Sequence, residues 1–176
     1  NIALTTNTSG GTNDFYWTVT NNSPAAGGTA ITSGTTGTTS INQTLSNSGT
    51  APATVVYSVT PRFTANSLSC IGSAVTQTVT VNPKPTVTPT PNNPYICPNS
   101  SPNIALSNNT TGGTNSWSWT GTNGTNVSGA SNSTGTPINQ TLNNTGTSNS
   151  TATYVITPTY TYNSVSCNGN TNTQTV

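Results

Sequence analysis

Apolar residues are sparse in this chain, and where they occur they mostly alternate with polar ones. In DFYWTVT (residues 14–20), Phe15, Trp17 and Val19 alternate with Tyr16 and Thr18, the period of two of a half-buried strand. ATVVYSVTP (53–61) sets Val55, Tyr57 and Val59 on one face, and INQTL (41–45) sets Ile41 and Leu45 on one face with Gln43 between them. TQTVTV (76–81) supplies a final strand. Gly, Asn and Ser clusters separate these runs, and no stretch carries a 3.6-residue period, so the pattern predicts an all-β chain of short strands.

The pattern is written twice. NIALTTNTSGGTNDFYWTVT (1–20) matches NIALSNNTTGGTNSWSWTGT (103–122), INQTL matches residues 138–142, NSLSC (66–70) matches NSVSC (163–167), and TQTV (76–79) matches residues 173–176. So many matches in one order mark a duplication. The second copy repeats the inward positions as Trp117 and Trp119 on one strand and Ala152, Tyr154 and Ile156 on another. Trp17, Trp117, Trp119, Tyr57 and Tyr154 are therefore the expected core aromatics, and a Greek-key β-sandwich with a Trp on a central strand is the natural reading. Prolines at 83, 85, 89, 91 and 94 favour an extended polyproline II path between the copies. The expected organisation is a sandwich over 1–83, a semi-rigid proline-rich linker over 84–95, and a second sandwich over 96–176.

Several segments together resemble a family. ICPNSSPNIAL, SWSW or FYWTV, INQTL, YSVTP or YVITP, the late Cys and TQTVTVNPKP are similar to the PKD-like, immunoglobulin-like repeats found in tandem in secreted and cell-surface proteins of Bacteroidetes. The W-x-F-G-D-G signature of typical PKD domains is missing, since TVTNN follows Trp17, so the likeness is to the divergent PKD-like group. The resemblance implies two tandem immunoglobulin-like Greek-key β-sandwiches used as stalk, spacer or adhesive modules, without catalysis. It also implies a disulfide between Cys97, ahead of the first strand of the second copy, and Cys167. Such a bridge would close a loop of about 70 residues and contribute about 2–4 kcal/mol. Cys70 then lacks a partner, whose place would fall ahead of Asn1, which suggests an unseen or intermolecular one. The chain starts at Asn1 without Met and stops where the first copy continues into TVNPKP, so the expectation is a window on a longer tandem array, or an edge completed by a neighbouring chain's strand.

Charge narrows the functions. The chain has two basic residues, Arg62 and Lys84, one acid, Asp14, and no His; 2% of its residues are charged, against about 25% in ordinary domains. A net charge of +1 removes the electrostatic footprint that nucleic acid requires. No apolar run approaches the ~20 residues of a membrane-spanning helix. Acid–base catalysis wants His or a placed carboxylate, glycoside cleavage a carboxylate pair, and zinc four ligands, so no catalytic or metal-binding residue is expected. Ile, Leu, Val and Phe fall below the ~20% at which disorder is a concern, but abundant Thr and Val and regularly placed aromatics favour a lean β-protein.

With so little charge, solubility rests on hydroxyls, amides or attached sugar. Asn-x-Ser/Thr occurs at Asn7, Asn21, Asn42, Asn99, Asn108, Asn109, Asn123, Asn126, Asn132, Asn139, Asn143 and Asn149. A chain this rich in Asn, Ser and Thr produces many by composition alone. Asn42 and Asn139 stand out by recurring at one position on the expected outward face. Tyr160 and Tyr162, near a strand end, are better candidates for a sugar-stacking platform than the tryptophans, although a structural role is the favoured expectation for them too. No cofactor is expected beyond covalent glycan. The favoured expectation is an extracellular, bacterial surface fibre or stalk that self-assembles into a homo-oligomer or filament. The alternative is an adhesin that recognises glycans or surfaces through its Asn/Gly-rich loops.

Overall fold

In the computed structural model, residues 1–30 and 39–176 are described, and these divide into two compact units, Asn1–Asn82 and Pro83–Val176. No helix occurs among the described residues. The first unit carries β1 (Ile2–Ala3), β2 (Thr12–Asn21), β3 (Ala25–Ala26), β4 (Ser40–Ile41), β5 (Ser46–Asn47), β6 (Ala53–Ala65), β7 (Leu68–Ile71) and β8 (Val75–Val81). The second carries β9 (Val87–Thr90), β10 (Ala105–Asn108), β11 (Thr114–Asn123), β12 (Val127–Ser128), β13 (Ser133–Thr134), β14 (Asn143–Asn144), β15 (Ala152–Tyr162), β16 (Val165–Asn168) and β17 (Asn172–Thr175).

In each unit one long strand organises the main sheet. β6 pairs antiparallel with β2 along one edge, and β7 and β8 share its other edge. β15 does the same with β11, β16 and β17, and β13 extends that sheet beyond β11. The long strands turn into β7 and β16 through Asn66–Ser67 and Asn163–Ser164, whose φ values of 48°, 65°, 47° and 61° are left-handed at both central positions. That is the geometry of the tight hairpin turn whose twist matches the strands it joins, and Asn tolerates it well.

The alternation seen in the sequence sets the core. Phe15, Trp17, Val55, Tyr57 and Val59 are buried on the inner face of the first main sheet, against Ala25 and Ile41. Trp119, Tyr154 and Ile156 are their counterparts in the second unit, packed against Val87, Ile104, Leu106, Ile138 and Leu142. Trp117 is only partly buried beside that cluster. Full burial of each large apolar side chain contributes about 1.5–3 kcal/mol, so a few well-placed aromatics sustain an otherwise polar fold.

Two expectations are corrected. The stretch 84–95 is not a spacer between sandwiches but part of the second unit. Pro83 and Pro85 are fully buried there, and β9 pairs antiparallel with β10, Pro89 lying opposite Leu106. Proline is tolerated because β9 pairs on one side only, where a missing N–H costs no ladder bond. INQTL, expected as a strand in both copies, is mostly irregular: β4 ends at Ile41, and residue 138 makes only an isolated bridge to Ile104. The reason is the glutamine at its centre.

Candidate functional surface

Gln43 is a hydrogen-bond hub. Its Oε1 accepts from the Thr29 backbone N–H (2.9 Å) and the Tyr57 hydroxyl (2.9 Å), while its Nε2 donates to Thr29 O (2.7 Å) and Thr29 Oγ1 (2.8 Å). Gln140 repeats this bond for bond: Ser131 N (3.0 Å) and the Tyr154 hydroxyl (3.1 Å) donate to it, and it donates to Ser131 O (3.1 Å) and Ser131 Oγ (2.8 Å). A buried tyrosine needs a partner for its hydroxyl, and each glutamine supplies one while tying down a facing loop. Burial pushes both tyrosine hydroxyls above their ordinary pKa of 10.0, keeping them protonated as donors. Sequence reasoning placed Gln43 without giving it a role; its retention between the same apolar neighbours in both copies was the available signal.

Asp14, 2% exposed, is paired with Arg62, directly opposite on β6. Arg62 Nε donates to Asp14 Oδ1 at 3.0 Å and Nη2 to Oδ2 at 2.6 Å, a bidentate fork. The acid is thereby neutralised within the sheet, held as a structural group. Among the described residues no group of three or more His, Cys, Asp or Glu gathers to hold a metal ion, and no helix is long and apolar enough to cross a membrane.

The cysteines depart from expectation. All three are free thiols, Cys70 and Cys97 exposed and Cys167 half-buried. Cys97 lines a cleft together with Val176, which is hydrogen-bonded to Ala152, whereas Cys167 lies opposite Tyr160. Ala152 and Tyr160 are eight residues apart on β15, which is about 26 Å along a strand, far beyond the ~7 Å that a disulfide spans between Cα atoms. The bridge between Cys97 and Cys167 is therefore not formed. Tyr160 is also corrected as a platform: it is fully buried and its hydroxyl donates to Thr111 O at 2.9 Å, while Tyr162 is half-buried.

The structure sorts the sequons. Asn7, Asn42, Asn99, Asn126, Asn139 and Asn149 are exposed. Asn21 and Asn123 are exposed but committed, each donating its side-chain amide to a carbonyl across a loop, of Gly28 and Ala130 respectively. Asn109 and Asn132 are exposed and accept bonds from Thr86 and from the Gly121 N–H. Asn143 is half-buried. Asn108 is overturned as a sugar acceptor, because its amide nitrogen is buried.

The second unit carries an open cleft of about 490 Å³, lined by Ile96, Val127, Leu142 and Val176 and by the Asn/Ser/Thr loop 143–151. Tyr95, 98% exposed, stands at its edge. The lining offers amides, hydroxyls and apolar faces.

A family model described as PKD-like domain matches the chain twice, over residues 1–85 and again over 94–176. No curated protein and no solved structure matches it.

Proposed function

The chain belongs to the PKD-like domain family, whose members are extracellular, immunoglobulin-like modules, and from that premise we propose that it is a non-catalytic structural segment of a glycosylated surface fibre or stalk that assembles from repeated copies. The observation that carries this reading is repetition without chemistry. Both units keep the Gln–Tyr hub bond for bond, while the chain's acid is tied up in an ion pair. What the two copies share is what holds each sandwich together. β8 supports the assembly half of the reading: it is largely exposed, its sequence VTQTVTV carries no charge, and charge or proline is what normally blocks edge-to-edge pairing. The exposed Asn42 and Asn139 recur in both copies and are the first candidates for sugar.

Electron microscopy of the native material tests this. Filaments with a repeat matching one or two units, and density extending from Asn42 and Asn139, are expected; isolated particles without added density would sink it. A second reading, a glycan-binding adhesin, is favoured by the second unit's cleft, where an exposed tyrosine ring stands beside amide and hydroxyl groups. Specific binding on a glycan array by monomeric protein, lost in Tyr95→Ala, would favour it over the fibre.

A further inference from the structure

Two steps of the chain carry a covalent chemistry that the fold suppresses unequally. Asn123–Gly124 and Asn168–Gly169 are its two Asn-Gly dipeptides, both in the second unit. Glycine has no side chain to shield or restrain its backbone nitrogen, so the nitrogen can close on the preceding carboxamide. It loses its proton and bonds to the Asn Cγ, and the side-chain nitrogen leaves as ammonia. Water then opens the five-membered succinimide to aspartate or isoaspartate. One water enters, one ammonia leaves, and nothing is oxidised or reduced. The reaction needs a glycine N–H without an acceptor and a carboxamide free to swing onto it.

At the first step both requirements are blocked. The Gly124 N–H donates to Thr151 O at 2.9 Å. Asn123 is held at both ends, its Nδ2 donating to Ala130 O at 3.0 Å and its Oδ1 accepting from the Ala130 N–H at 2.8 Å. At the second step the glycine is held as firmly, its N–H donating to Pro158 O at 2.8 Å, but the carboxamide is not. Asn168 is exposed at the end of β16, and its Oδ1 accepts from the Thr159 hydroxyl at 2.9 Å. This step is covered instead by the strap 83–93, which carries β9. The Pro85 carbonyl lies so close against Gly169 that no Cβ would fit there. The far end of the strap is latched to β17, where the Asn93 N–H donates to Gln174 Oε1 and the Thr175 N–H to Asn93 Oδ1, each at 2.9 Å. The first unit supplies the contrast. Gly72 makes the same backbone bond, to Pro61 O at 2.9 Å, but Ile71 precedes it and has no carboxamide to react.

We propose that Asn168 is a deamidation site gated by the strap. While residues 83–93 are seated the Asn168–Gly169 step is inert; when they lift, it converts. Lifting frees Gly169 from the Pro85 carbonyl, lets the end of β16 fray and opens the Gly169 N–H to base. The product then resists reseating. Isoaspartate lengthens the backbone where Gly169 meets Pro85, and either product adds a carboxylate to a chain whose net charge is +1. Conversion therefore records strap opening as a covalent mark on the second unit. The proposal goes beyond the fibre reading and does not depend on it.

The test incubates the intact chain in mildly alkaline buffer, beside the free peptide SVSCNGNTN, and maps both by mass spectrometry that separates isoaspartate from asparagine. Asn168 is expected to convert about tenfold more slowly in the chain than in the peptide, and Asn123 more slowly still. Asn93→Ala removes the acceptor of the Thr175 N–H and disfavours the left-handed backbone at residue 93, whose φ is 47°. It should speed conversion of Asn168 about tenfold and leave Asn123 unchanged. Amide exchange on β11 and β15 should stay as in the parent, showing that the sandwich itself is intact. The proposal is overturned if Asn168 reacts as fast in the chain as in the peptide, or if Asn93→Ala leaves its rate unchanged. Equal acceleration of both steps, or loss of protection on β11 and β15, would make unfolding of the whole unit the gate and would also overturn it.

Discussion

At the scale of single residues, the internal duplication acts as a control experiment. Asp14 and Arg62 face each other across β2 and β6, and the second unit fills the corresponding places with Ser116 and Thr159, paired in the same register. The sheet therefore does not need charge there; it needs matched partners. A buried carboxylate stripped of its guanidinium is costly, whereas replacing both members of a pair is often neutral. Arg62→Thr is thus expected to lower the melting temperature of the first unit by about 5 °C or more, while the double variant Asp14→Ser/Arg62→Thr recovers most of the loss. Thermal unfolding of the two variants checks this, and equal destabilisation by both would refute the matched-partner account.

At the scale of elements, the strap shows how far a local reading reaches. A Cβ on Gly169 would lie 1.9 Å from the Pro85 carbonyl oxygen, whereas at the equivalent Gly72 the nearest atom is Pro61 Cγ at 2.9 Å. Gly169→Ala must therefore displace backbone, and Gly72→Ala only a ring carbon. The first is expected to cost about 1–3 kcal/mol and speed amide exchange at Asn93 and Thr175, the second clearly less. Equal effects would mean that the strap is not seated on Gly169. The strands were legible because Phe15, Trp17 and Val19, or Tyr154 and Ile156, alternate cleanly. The strap was not, because prolines read locally as an extended spacer and nothing in 83–93 says that Pro83 and Pro85 are buried, the Pro85 carbonyl against the distant Gly169. INQTL was read as a strand because Ile41 and Leu45 keep a period of two; that Gln43 and Gln140 tie it to a facing loop is not visible until their hydroxyl partners, Tyr57 and Tyr154, are placed. The pairing of Cys97 with Cys167 came from the family resemblance alone, and the strand length between their neighbours sets the two free thiols apart.

At the scale of the whole molecule, two sandwiches of one design differ in how completely they are closed. Their central strands and hubs are equivalent, so a difference in protection between them reports on the covering strand. Ile104 and Leu106 are buried where Ile2 and Leu4 are half-exposed, and Tyr160 is fully buried where Phe63 is not. Sealing one or two large apolar side chains more completely is worth about 1.5–3 kcal/mol each at most, and each 1.4 kcal/mol is tenfold in an opening equilibrium. Amides of β2 and β6 should therefore exchange about tenfold faster than those of β11 and β15, measured on the intact chain by hydrogen exchange resolved to each strand. Equal protection in the two units would show that the first sandwich is already as closed as the second.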